Sequence, residues 1–155
     1  MKKADVLKAA ERFAFFAAMT PMLTDGRVAY PRQVASEMSR VQYLDTPGDW
    51  ALGARDLIIY PDPSDEAMAE VLGAAQLIDA QGEKEEADPY VVAMAYDIRE
   101  HFPSTHVVVV SDDVRDRIPR KESVLTACIR LNIECWQTPA FVEHIRAIIV
   151  GAPRQ

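Results

Sequence analysis

Basic residues are in short supply in this chain: 17 Lys and Arg stand against 24 Asp and Glu, a formal net charge of -7. That balance excludes a protein that holds nucleic acid by a broad basic face, while leaving room for an acidic metal site with a small basic rim. Cysteine is scarcer still. Cys128 and Cys135 are the only two, too few for the disulfide framework of a small secreted domain. No apolar run approaches the roughly 18 residues of a membrane-spanning helix. Glu11 and Arg12 interrupt the N-terminal stretch before a signal-peptide core can form, so a cytoplasmic protein is expected. The six glycines include no Gly-rich phosphate loop. His101, His106 and His144 have no spacing that links them as zinc ligands. What is present is one domain's worth of chain: 155 residues, 49% of them apolar, enough for a core and too short for two ordinary domains.

Periodicity predicts a helix over Lys3 to Met19, with Val6, Leu7, Ala10, Phe13, Ala14 and Ala17 near one stripe. Thr24-Asp25-Gly26 reads as a turn, and Pro31 suits the first turn of a helix carrying Val34, Ala35, Met38 and Val41. A short helix follows at Trp50 to Arg55, Leu57 to Tyr60 reads as extended, and Ser64 caps a helix running to about Asp79. After a polar loop from Gln81 to Glu86, the Asp88-Pro89 pair marks a helix start with Asp88 as the cap. Val91, Met94, Ala95, Ile98 and Phe102 supply that helix's buried stripe. His106 to Val110 is the strongest strand. Its four consecutive valines fit a central strand covered on both faces, the habit of parallel sheets. A helix over Lys121 to Leu131, a strand over Ile133 to Trp136 and a helix from Thr138 to Ile149 complete the alternation. The expected fold class is α/β with a small parallel sheet in a single domain. Such a sheet needs a central first strand and the chain opens on a helix, so either the sheet is small or an element is missing.

Asp112 and Asp113 follow the valine strand at its carboxyl end, the edge where open α/β sheets bind ligands. The helix started by Asp88 feeds that strand, so Asp88 is expected to approach Asp113. Glu37 falls on or beside the apolar stripe of its helix, where a carboxylate must snorkel, pair or line a cleft. Carboxylates gathered at one place repel unless a cation neutralises them, and Mg²⁺ or Mn²⁺ suits oxygen donors. Glu37, Asp88 and Asp113 are therefore the candidate catalytic and metal-binding acids, with Asp112 a further metal candidate. Ser111 adds a hydroxyl for a metal-bound water or a phosphate oxygen. Arg115, Arg117, Arg120 and Lys121 form a basic group able to face a phosphate. Each has a plain alternative: Asp88 as a helix cap, Asp112-Asp113 as a polar turn, Glu37 as an exposed helix residue, the basic group as a solvated loop.

Three stretches carry a family likeness: Gly26-Arg27-Val28-Ala29-Tyr30-Pro31 through Glu37, Glu86-Ala87-Asp88-Pro89-Tyr90-Val91-Val92-Ala93-Met94-Ala95, and Val108-Val109-Val110-Ser111-Asp112-Asp113. They resemble the PIN domain, and within it the DUF4411 branch related to VapC-type toxins. The likeness runs from about Phe15 to Ile148. Its most specific part is the ordered pair Ala-Asp-Pro-Tyr and Val-Val-Ser-Asp-Asp. The resemblance implies a three-layer α/β/α fold and RNA cleavage with Mg²⁺ or Mn²⁺ held by three or four carboxylates. By position, Glu37 corresponds to the second acid, Asp88 to the third and Asp113 to the fourth, with Asp112 the less favoured neighbour. Ser111 stands where a Thr or Ser commonly sits. The partners implied are RNA, an antitoxin protein and a second copy of the chain.

The resemblance also implies a first strand ending in a first acid. Met1 to Asp5 offers only Lys, Lys and Ala before Asp5, so that strand is expected to be absent or supplied otherwise. Two functions follow as expectations: a metal-dependent endoribonuclease of toxin type, or a catalytically inactive PIN-like interaction domain lacking the first acid. A nucleotide-binding or phosphotransfer domain would fit Asp112-Asp113 but lacks its phosphate loop.

Overall fold

The computed structural model describes residues 9–39, 46–82 and 84–151. In chain order the elements are helices α1 (Ala9–Thr24), α2 (Arg32–Ser39) and α3 (Thr46–Gly53), a 3-10 turn (Arg55–Leu57), helices α4 (Asp65–Ala74) and α5 (Asp88–His101), strand β1 (Val108–Val110), helix α6 (Val124–Arg130), strand β2 (Glu134–Trp136) and helix α7 (Thr138–Gly151). The chain is thus mixed α/β, built on a small parallel sheet in which Val108 faces Glu134, Val109 faces Cys135 and Val110 faces Trp136.

α1 runs past its expected end and carries Pro21 inside it. An interior proline costs about 3 kcal/mol. The turn around it buries Met19, Met22 and Leu23, each worth roughly 1.5–3 kcal/mol, so burial wins over the proline. Lys3 to Lys8 and Val41 lie outside the described residues. Gly26 follows with φ +80°, and a Cβ there would stand 2.8 Å from Ile59 Cδ1 and 2.9 Å from the Tyr60 hydroxyl oxygen. Tyr60 OH donates to Gly26 O at 3.2 Å. The turn therefore needs glycine both for its backbone and for its clearance.

α4 starts as expected, with Ser64 Oγ accepting from Ala67 N–H at 3.1 Å. Asp97 of α5 holds that cap in place, accepting from Ser64 N–H at 2.7 Å and from its hydroxyl at 3.0 Å. The helix stops at Ala74, well short of Asp79, because the next residues pair elsewhere. Gln76 N–H donates to Glu122 Oε2 at 2.8 Å, and Glu122 N–H donates to Gln76 O at 2.7 Å. Leu57 lies in the 3-10 turn rather than in extended chain.

The helix start at Asp88-Pro89 is present, displaced by one residue. Ala87 is the N-cap, without a side-chain cap, and Asp88 is the first helical residue. The role of Asp88 as a cap is therefore corrected: its carboxylate is used elsewhere. α5 buries Val92, Ala93, Met94 and Ala95. Phe102, expected in that stripe, is the C-cap, half exposed and edge-on to Tyr60 at 6.0 Å. α6 begins at Val124 with Ser123 as its cap, three positions after Lys121.

Two clusters form the interior. Val71, Leu77, Val92, Val109, Val124 and Cys128 belong to one, which joins α4, α5, β1 and α6. Phe15, Met19, Met22, Val142 and Ile145 form the other, between α1 and α7. β1 departs from the expected central strand. Among the described residues it pairs along one edge only, with Val109 buried and Val108 and Val110 half-buried. No helix among the described residues is long and apolar enough to cross a membrane.

Candidate functional site

The segment between β1 and α6 folds back on itself at Arg117–Lys121. Arg117 N–H donates to Lys121 O at 2.7 Å, and Lys121 N–H donates to Arg117 O at 3.1 Å. This hairpin turns the Lys121 side chain inward, leaving it 3% exposed. Its ammonium lies 2.5 Å from Asp88 Oδ2, 2.9 Å from Glu86 Oε2 and 3.8 Å from Asp113 Oδ2. One positive charge against three carboxylates leaves a formal excess of two negative charges (3 − 1 = 2). A buried ammonium without such partners would be costly. Burial by itself pulls the Lys121 ammonium down, but the hydrogen bonds to Asp88 and Glu86 and their charges outweigh it and hold the group above its ordinary value.

Glu37 joins the same place from α2. Its Oε2 accepts the Ala87 N–H at 2.8 Å, so its carboxylate is bonded to the residue between Glu86 and Asp88. Asp113 is oriented by its neighbours: Ser111 Oγ accepts the Asp113 N–H at 3.1 Å. Asp113 Oδ2 also accepts the Val124 N–H at 3.3 Å, at the N-terminus of α6, where a carboxylate is favoured. The three predicted acids, Glu37, Asp88 and Asp113, are thus brought to one neighbourhood by α2, α5 and the end of β1.

Asp112 goes elsewhere. Its Oδ1 accepts the Thr138 N–H at 2.8 Å and its Oδ2 accepts the Thr138 hydroxyl at 2.7 Å, tying the end of β1 to the start of α7. Lys121, expected on a phosphate-facing rim, is instead the centre of the acid cluster. Arg120 is also committed: its Nη2 lies 2.8 Å from Asp79 Oδ2 and its Nε 3.3 Å from Asp79 Oδ1. The Gln81 N–H and then this guanidinium hold the Asp79 carboxyl below its ordinary value. Arg115 and Arg117 remain as exposed basic side chains of the predicted rim. Glu86 escaped sequence reasoning because it ends a polar loop. Its nearness to Asp88 in sequence gave no signal, since Ala87 between them has helical backbone (φ -75°, ψ -22°) and only the inward turn of Lys121 brings the two carboxylates together.

Among the described residues no set of three His, Cys, Asp or Glu side chains is placed to hold a metal ion; the ammonium stands where the carboxylates point. The donor chemistry nonetheless suits a hard divalent cation. Every donor is an oxygen, and Glu86 Oε2 is buried with no hydrogen-bond partner beyond its ion pair with Lys121.

Fold and site together define an α/β domain with a carboxylate cluster beyond the carboxyl end of a parallel strand, gathered on a buried lysine. The chain belongs to the family described as Domain of unknown function (DUF4411), whose family model matches residues 5–149. No curated protein and no solved structure matches the chain.

Proposed function

We propose that this chain is a metal-dependent endoribonuclease of PIN type, with the three-layer α/β/α arrangement of that fold, acting as the toxin of a toxin–antitoxin pair in the cytoplasm. The observation that carries this reading is convergence: Glu86, Asp88 and Asp113 meet on one cation, and Glu37 is bonded to the residue between two of them. Surface carboxylates serving solubility alone repel and spread apart, whereas these are collected at the edge of the sheet where ligands bind. When bound by Glu37, Asp88 and Asp113, Mg²⁺ or Mn²⁺ would supply an activated water and neutralise charge developing on the phosphodiester. The chain's own residues do the rest. Lys121 holds the carboxylates together, the Ser111 hydroxyl fixes the Asp113 backbone, and exposed Arg115 and Arg117 contact the RNA backbone. An antitoxin protein and a second copy of the chain are the proposed partners.

A second reading is favoured by one specific observation, the ammonium at the centre of the acids. An internal counter-ion makes the cluster self-sufficient, as in an inactive interaction domain. The two separate in a cleavage assay with labelled single-stranded RNA and Mn²⁺, run on the 155-residue chain and on Asp88→Asn. Cleavage by the wild type that disappears in a folded Asp88→Asn supports the nuclease. Full activity in Asp88→Asn sinks the assigned site, and no cleavage by a folded wild-type chain selects the interaction domain.

A further inference from the structure

The turn between α6 and β2 sets two sulfurs side by side. Asn132 takes a left-handed conformation, φ 54°, directly after the C-cap Leu131. Its N–H donates to Ile129 O at 3.2 Å, and the Ile133 N–H donates to Cys128 O at 2.8 Å. This is the paired bonding of a Schellman ending, with asparagine supplying the positive φ. The Arg99 guanidinium of α5 fastens the same turn, 2.5 Å from Leu131 O and 3.2 Å from Asn132 O. The chain therefore doubles back at a fixed place. Cys135, the middle residue of β2, packs against the core cluster that contains Cys128. The two thiols are in hydrogen-bond contact, with Cys128 the donor.

Access separates the two sulfurs. Cys128 is sealed in the core, whereas Cys135 is half-buried. The thiolate is favoured at the thiol that solvent reaches. The hydrogen bond from Cys128 lowers Cys135 most, with help from the Ser111 N–H and against burial and the Asp112 charge. An accessible thiol by itself, once oxidised, can climb to irreversible states. A sheltered thiol in contact with it intercepts the first product, and sulfurs already in contact need close only to the about 2.05 Å of a disulfide.

We propose that Cys135 and Cys128 form a peroxide-sensitive dithiol, in which Cys135 is oxidised first and Cys128 closes a reversible disulfide on it. The Cys135 thiolate attacks one oxygen of the peroxide. An S–O bond forms, the O–O bond breaks, and the departing hydroxide takes up a proton to become water. Cys128 sulfur then attacks the sulfur of the Cys135 sulfenic acid. The S–S bond forms, the S–O bond breaks, and the hydroxyl leaves as water with the Cys128 proton. Two thiols are oxidised by two electrons, and the peroxide is reduced to two waters. A small dithiol restores both thiols by exchange. Disulfides of this transient kind are the ones found in reducing compartments. No metal or RNA enters the step, so its failure leaves the nuclease reading standing.

The test treats the reduced 155-residue chain with hydrogen peroxide, then denatures it and alkylates the remaining thiols. Trypsin cuts after Arg130, which puts the two cysteines in separate peptides. Mass spectrometry is expected to show both thiols lost together and their peptides joined within one chain, with dithiothreitol restoring both. In Cys128→Ala, dimedone is expected to trap Cys135 as its sulfenic acid. In Cys135→Ser, oxidation of Cys128 is expected to slow about tenfold or more, since the remaining thiol has neither access nor thiolate character. Circular dichroism checks that each chain is folded; should Cys128→Ala fail to fold, the wild type and Cys135→Ser decide the matter. A folded wild type whose Cys128 stays alkylatable after peroxide would overturn the proposal. So would linkage between two chains, linkage that forms only in denaturant, or Cys128 oxidation as fast in Cys135→Ser as in the wild type.

Discussion

The Lys121 ammonium stands 2.5 Å from Asp88 Oδ2 although 33 positions separate the two residues. The contact fastens the hairpin before α6 to the first turn of α5. It also places on one spot the anchor of the acid cluster and the competitor of any metal the cluster takes up. Both roles can be separated by substitution.

Replacing Lys121 with methionine keeps the stem's packing and removes the charge. Breaking a buried ion pair from one side typically costs 3–5 kcal/mol. Asp88, Glu86 and Asp113 keep a quarter to a third of their side-chain exposure, so the expected loss is about 3 kcal/mol, at the lower end of that range. Thermal melts with Mn²⁺ then read the second role. The ion is expected to raise the melting temperature of Lys121→Met more than that of the wild type, because the carboxylates are left without their cation. A variant whose melt ignores Mn²⁺ would show that these acids do not form a cation site.

Alkaline pH probes the same contact without mutation. Lys121 is held above its ordinary 10.5, so the folded state binds its proton more tightly than the unfolded state does. The stability this contributes is fully present below 10.5 and is lost as pH rises through the folded value. Tyr30, pushed up from 10.0 to about 12 by burial, acts in the same direction: its contribution is present below 10.0 and disappears toward 12. Urea melts at rising alkaline pH should therefore show a steep decline in the wild type. The decline should be shallower in Lys121→Met and separately shallower in Tyr30→Phe. Parallel curves for wild type and Lys121→Met would refute the Lys121 contribution.

Asp112 and Asp113 are adjacent and are expected to behave differently. Asp112→Ala removes both acceptors of Thr138 and should cost about 1–2 kcal/mol, the cost of a lost N-terminal cap, while leaving the Mn²⁺ response unchanged. Asp113→Asn retains an acceptor for the Val124 N–H and should weaken the Mn²⁺ response with little loss of stability. Urea melts and Mn²⁺ titration of the two variants check the pair. The reverse pattern would exchange their assignments.

The thiols give a check on packing. The Cys128 thiol is fully buried, and its hydrogen bond to Cys135 together with burial pushes it far above the ordinary thiol range. Cys135 is only half-buried and is pushed down, first by the hydrogen bond from Cys128. Reactivity follows the thiolate and its access, so iodoacetamide should label Cys135 in the native chain and reach Cys128 only after denaturation. Peptide mass spectrometry reads both sites, and early labelling of Cys128 would contradict the packing of α6 into the core.

Several elements were legible because their signals are local. The Ser64 cap, the start of α5 near Asp88-Pro89, the valines of β1 and the start of α7 at Thr138 each depend on residues within one turn or strand. The end of α4 was not legible. Ala75 to Leu77 continue an apolar pattern that a helix would accept, and only the pairing of Gln76 with Glu122 takes them out of it. Pro21 misled in the other direction, since the core contacts that carry α1 past it come from distant segments.

At the site, position alone put Asp88 at a helix start and Asp113 past a strand end, at one edge of a parallel sheet, and both carboxylates lie beside the Lys121 ammonium. Tertiary structure alone decided that Asp112 ties α7, that Glu86 joins the cluster, that Lys121 turns inward and that β1, among the described residues, pairs along one edge only. The physical reason is the range of the forces. Caps and turns are settled by neighbours in the chain at about 1 kcal/mol each, whereas a charged side chain goes where its desolvation is compensated. That place is defined only once remote segments have packed together.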